Sequence, residues 1–311
     1  MKYFFSIHLI FLTLAINAQP SIRQNEIPIE QHAAILIKLD GYPDFLAADD
    51  DGVWVTNDGR VDKLIYGEPS PVKTIEMPTP CGAMAVGFGS LWVASCSTKS
   101  LYRLDLLSGE VSTIIETGLA DEQGELSIAI GAGSVWLLTN VTGELSRIDP
   151  YKNKVVRKIK VLPNSFAAAF GFNAVWITNT ASGSVQKIDP KEEKVIATIP
   201  VGKTPRFLTA GAGAVWTLNQ ADGTVSKIDP ITNKVVATIA ADAIGTGGDI
   251  AASDTRVYVR AKTPLLSVIN PTTNEVYVRY GPPAGSGAVR VENGRVWVSA
   301  HDINTIWILK E

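Results

Sequence analysis

The chain has 311 residues, with 28 Lys and Arg against 31 Asp and Glu, a formal net charge of −3, two Cys and three His. That balance excludes nucleic-acid recognition by bulk charge. His is scarce, and no Ser–His–Asp set stands out in the sequence.

Residues 1–18 read as a secretory signal peptide: Lys2, the apolar run Phe4 to Ile16, and small Ala18 ahead of Gln19-Pro20. Its removal takes one Lys and no acid, so the remaining chain carries a net −4. The expected location is secreted or periplasmic. No later segment is long and apolar enough to span a membrane as a helix. Residues 19–32 are polar enough to be a linker or mobile tail, and residues 33–311 form one domain.

Within that domain an aromatic between aliphatic or small neighbours recurs seven times, at Trp54, Trp92, Trp136, Trp176, Trp216, Tyr258 and Trp297. Successive spacings are 38, 44, 40, 40, 42 and 39 residues, the period of one four-stranded propeller blade. The best-formed copy runs from Arg206 to Ile239 and divides into four short strands, A to D. Strands A and B are apolar on nearly every position, as expected when both faces are buried between blades. Strand C alternates. Asp149-Pro150, Asp189-Pro190, Asp229-Pro230 and Asn270-Pro271 open the turns from C to D, where Asp or Asn bonds the following backbone and Pro presets φ. After Trp297 only one more strand fits before the chain stops, and an orphan strand, Ala34 to Leu39, precedes the first blade. The fold class is therefore all-β, a seven-bladed β-propeller closed by an N-terminal strand completing the last blade, which removes the open sheet edges.

In blade 2 the turn from A to B centres between Phe88 and Gly89, so opposing residue numbers add to 177 and Cys81 faces Cys96. A disulfide is expected in an oxidising compartment. A metal pair would lack further ligands nearby, and two buried thiols are the remaining reading.

The copies Val175-Trp176-Ile177-Thr178-Asn179, Gly183 to Pro190 and Lys194 to Gly202, with the parallel stretch 215–239, resemble the repeats of bacterial YVTN-type β-propellers. That broad group also contains the virginiamycin B lyase, or streptogramin lyase, family. The likeness spans residues 35–309 and is strongest in blades 4 and 5. For the lyase subset the resemblance implies magnesium-assisted opening of a cyclic depsipeptide by elimination, with His and Glu of the late blades moving protons and holding metal. Here His8 lies in the signal peptide and His32 before the closing strand, so only His301 stands in a late-blade loop. It is a weak candidate for a general base. No cofactor is expected outside that alternative, and no metal site is assigned.

The start of strand A, the end of strand B and the loops D–A and B–C share one face of the disc around the central funnel. Columns otherwise small or apolar there break into charge in blades 6 and 7: Arg260 two after the aromatic, Arg290 seven before it, Asp249 nine before it. Asp249 and Arg290 are expected to pair, because an unpaired buried charge is costly. Arg206, Arg260, Lys262 and Arg290, with His301, are the candidates for a basic pocket around a carboxylate, phosphate or sulfate. Asp49-Asp50-Asp51-Gly52 reads as a solvated turn rather than a calcium loop. Asn140-Val141-Thr142 is a glycosylation sequon, meaningful in a eukaryotic host. Trp307, on strand C, is expected at the surface, unlike the six Trp of the repeat. The functional expectation is a monomeric exported module binding a small anionic ligand or a protein partner at the funnel face. A divalent-metal-dependent lyase or hydrolase is the alternative and a pocketless surface scaffold a third reading; the residues leave catalysis open.

Overall fold

Each copy of the repeat becomes one antiparallel sheet. The computed structural model describes residues 26–118, 127–140 and 142–311, side chains 139 and 140 excepted. The expected signal peptide, half of the expected linker and part of the sequon lie outside the described residues. Seven sheets follow one another, each with its strands in sequential order except where N-terminal strands join the edges of the last two.

Blade 5 shows the unit: Pro205–Gly211, Ala214–Asn219, Thr224–Asp229 and Lys234–Ala240. Thr209 pairs with Trp216, Trp216 with Lys227, and Lys227 with Ala237. Strand B is buried along its whole length, because neighbouring blades cover both its faces. Strand D carries a bulge that leaves Val236 exposed at the rim.

The six repeat Trp are buried, and each indole N–H needs an acceptor. In blades 2 to 5 that acceptor is the carbonyl five residues earlier, at Gly87, Gly131, Gly171 and Gly211, at 2.9–3.0 Å. A cation from strand C lies over each ring: Arg103, Arg147, Lys187 and Lys227, 4.9–5.7 Å from the centroid. It continues into the next blade's C–D turn. Lys187 Nζ donates to Pro230 O at 2.7 Å and Asn233 Oδ1 at 3.0 Å, and Lys227 Nζ repeats this on Pro271 and Asn274. Asn153, Asn233 and Asn274 hold positive φ, between 51 and 59°, a region Asn tolerates better than most side chains. Glu193 takes the same position and binds Arg147 by its carboxylate at 2.6 Å instead.

Closure follows the N-terminal route. Blade 7 comprises Val289–Glu292, Arg295–Ala300 and Thr305–Lys310, and its outer strand is Ala33–Lys38, with Leu36 opposite Trp307. The chain before it is also part of the fold: Ile27–Pro28 pairs in parallel with Glu275–Gly281 of blade 6, and Ile29 is fully buried. The end of the expected linker is therefore a strap across blades 6 and 7. That strap corrects the reading of Trp307, which is 3% exposed and shares a core cluster with Ile29, Tyr258 and Leu309.

Cys81 and Cys96 form a disulfide, with Cα atoms 5.9 Å apart. The 177 register holds from Ala85–Trp92 to Gly87–Ser90, but further out Pro80 bridges Ser95. The two Cys are thus diagonal rather than directly opposed, still within disulfide reach. A cross-link over 15 residues stabilises by about 3 kcal/mol in the chain-entropy account. Among the described residues no helix is long and apolar enough to cross a membrane.

Candidate functional site

The inner strands line a central channel of about 340 Å³, walled mostly by small and aliphatic side chains. Asp249, first residue of strand A of blade 6 (Asp249–Ala252), and Arg290 of blade 7 put charge into this wall. They pair through Arg290 Nη1. The carboxylate also accepts from the backbone N–H of Ile250 at 2.8 Å and Val289 at 3.2 Å. Burial pushes the Asp249 carboxyl above its ordinary value, and the charge of Arg290 opposes that rise. Nη1 of Arg290 also donates to its neighbour's carbonyl, Val289 O, at 2.6 Å, and the guanidinium's other nitrogens bond to no described residue.

Arg260, the last residue of strand B of blade 6 (Val257–Arg260), has no exposed surface. Backbone carbonyls surround it: Nε donates to Ser299 O at 2.9 Å, Nη1 to Ala261 O and Leu265 O, and Nη2 to Gly285 O. Burial lowers its pKa to about 9, with Asp44, Asp302 and Asp249 opposing. The guanidinium ties the B–C loop of blade 6 to the following D–A loop and to blade 7. It does not open onto the funnel.

His301 begins the loop after strand B of blade 7 and is largely buried. Its ring stacks on Tyr42, centroids 4.0 Å apart, and its Nε2 lies 3.1 Å from the Tyr42 hydroxyl. Nδ1 lies against the Asp302 carboxylate. Burial lowers the imidazole's pKa, with Asp302 opposing. Lys262 is exposed at the funnel mouth. Arg206 stands apart from this group, at the entrance of blade 5, with its guanidinium 4.3 Å over the Phe166 ring. The structure thus joins Asp249 to Arg290, encloses Arg260 between blades 6 and 7, engages His301 with Tyr42 and Asp302, and gives Arg206 and Lys262 no ion pair among the described residues.

Sequence reading missed the role of Asp49. Its Oδ2 accepts from Trp54 Nε1 at 2.7 Å, and Lys63 pairs with both Asp49 and Asp51. Asp49 occupies the column held by Gly87, Gly131, Gly171 and Gly211, five before the aromatic, which was the available signal. Asp49 is therefore a clamp on the blade's own Trp and Lys, while Asp50 and Asp51 are exposed, as expected of a solvated turn.

A magnesium-assisted elimination needs converging oxygen or imidazole ligands. Among the described residues no three His, Cys, Asp or Glu side chains group in that way, and the Nε2 of His301 is engaged by Tyr42. The described residues therefore do not fit the metal.

Fold and face together define a seven-bladed β-propeller with cationic groups at its funnel. Among solved structures the chain is similar to a streptogramin B lyase, with a TM-score of 0.73 and 16% identity over 89% of this chain and 98% of that one. It is also similar to BamB from Moraxella catarrhalis, with a TM-score of 0.64 and 15% identity over 86% of this chain and 84% of that one. No protein-family model matches the chain, and no curated protein matches it in sequence. At these identities the likeness shows the fold, and function has to be argued from the site.

Proposed function

We propose that this protein is an exported binding module that takes a small anionic ligand at the funnel face. The observation that carries the reading is Arg206, a half-buried guanidinium that no acceptor or carboxylate among the described residues satisfies. A charge held partly out of water on a stiff strand is poised for an anion, and Arg offers a planar fork to one. Arg290 adds positive charge separately, in the wall of the central channel, and Lys262 is an exposed cation of blade 6, while Arg260 supports the wall from behind. The test is thermal melting of the purified protein against sulfate, phosphate and a panel of carboxylates at constant ionic strength, since a ligand that binds only the folded state raises the melting temperature with its concentration. An equal response to each anion and to a neutral analogue of the same shape would reject the reading.

A protein partner on the same face is the second reading, supported by Ile244, which is 67% exposed there. The lyase alternative rests on the likeness to a streptogramin B lyase. It predicts ring opening of a cyclic depsipeptide that depends on magnesium.

A further inference from the structure

A second cavity, of about 430 Å³, opens on the funnel face away from the central channel. It lies between the B–C turns of blades 4 and 5 and the connection from blade 5 to blade 6. Its walls are chiefly apolar, with Phe166, Ala221 and Ile244, and no acidic residue lines it. The single charge is Arg206.

Three features fix that charge in place. Phe207 meets the Phe166 ring edge-on, at 5.5 Å and 87°, so the ring is held. The guanidinium rests on the face of that ring, which occupies its own face and leaves its edge N–H groups for a ligand. Arg206 itself is the second residue of strand A, Pro205–Gly211, a partly buried inner strand. Beneath the pocket Gln220 is 3% exposed; its Nε2 donates to Gly247 O at 2.8 Å, and its Oε1 has no hydrogen-bond partner. The Thr180 and Thr204 hydroxyls supply a polar rim.

We propose that this pocket binds a small carboxylic acid carried on an aromatic or branched aliphatic body, the carboxylate on the Arg206 fork and the body against Phe166 and Ile244. The proposal rests on the anion-binding reading and narrows it. Bare sulfate or phosphate would meet one guanidinium but leave the apolar walls unfilled, whereas a neutral arene would fill the walls and leave the guanidinium unsatisfied. Both halves of the ligand are therefore required.

Calorimetry with 3-phenylpropionate and its neutral amide, 3-phenylpropionamide, tests this on the full secreted chain. The acid is expected to bind at least tenfold more tightly than the amide. Arg206→Met should cost the acid tenfold or more and leave the amide unchanged, and Arg206→Lys, which keeps the charge without the fork, should fall between. Melting of each variant at the parent temperature establishes that it is folded. Equal affinity of Arg206→Met and the parent for the acid, with loss in Arg290→Met, would move the ligand to the channel: that overturns the pocket and leaves the anion-binding reading standing. If neither 3-phenylpropionate nor sulfate nor phosphate binds the parent protein, both fall together.

Discussion

The seams between blades 2 to 5 and the seam between blades 6 and 7 solve one problem in different ways. In the middle blades the charges packed on the repeat Trp are strand C cations, each lying across the ring and anchored in the next blade's turn; Arg206, on strand A over Phe166, is the exception. The strand C cation's head stays half-buried near the disc surface, where burial lowers the pKa of Lys187 but the turn's acceptors meet the charge, and the device repeats. In the late blades charge enters the inner columns. Arg260 is fully buried and must be met by four carbonyls, and Asp249 needs Arg290 and two backbone N–H groups. The lesson is that a repeat tolerates charge at its rim without change, whereas charge in its core requires partners from neighbouring loops. Those loops then become specific to one seam.

The comparison breaks most completely at closure. Removing residues 19–38, and with them the strap and the outer strand of blade 7, should expose the Thr305–Lys310 edge and cause aggregation or loss of the folded state. A truncated monomer melting at the parent temperature, followed by circular dichroism with light scattering, would contradict N-terminal closure.

Next in size is Arg260→Met. It strips donors from carbonyls that are buried or, at Gly285, half-buried, and a loss of about 3 kcal/mol or more is expected from urea unfolding. Arg290→Met should cost less, about 2 kcal/mol, because Asp249 keeps two backbone donors. Its pH dependence is diagnostic. Burial already raises Asp249 above 3.8, and without Arg290 the folded carboxyl takes up a proton at a pH where the unfolded one is ionised. The folded state then binds more protons, so acidification from neutral pH should recover stability in this variant relative to the parent.

The middle seams should respond more mildly. Lys227→Met removes one ring contact and two part-buried hydrogen bonds, about 1 kcal/mol by the same unfolding measurement. A loss as large as that of Arg260→Met would erase the distinction between rim and core charge.

The smallest effect is that of His301. Burial holds its folded pKa below 6.5, so below that value the unfolded chain binds protons that the folded chain does not. Stability contributed by this site rises with pH through the region just under 6.5 and is lost on acidification. Urea midpoints at pH 7 and pH 5 should fall further for the parent than for His301→Gln. Identical falls would show that the imidazole titrates as freely in the fold as out of it.

Blade number, strand order and the closing strand were legible because period, alternation and turn chemistry are local properties of the chain. The Cys pair was legible for the same reason, although a shift in the ladder near Pro80 moved it off the direct register. Charged breaks at Asp249, Arg260 and Arg290 stood out against their columns. What each charge meets was not written there: Arg260 ends among carbonyls from residues 261, 265, 285 and 299, positions that only loop packing brings together. Trp307 looked exposed until Ile29 covered its neighbourhood, and Arg206 gained its aromatic support from the preceding blade. Periodicity fixes which residues face inward, because side-chain direction follows the backbone repeat. Whether an inward charge is satisfied or left for a ligand depends on contacts between segments far apart in the chain, which packing alone decides.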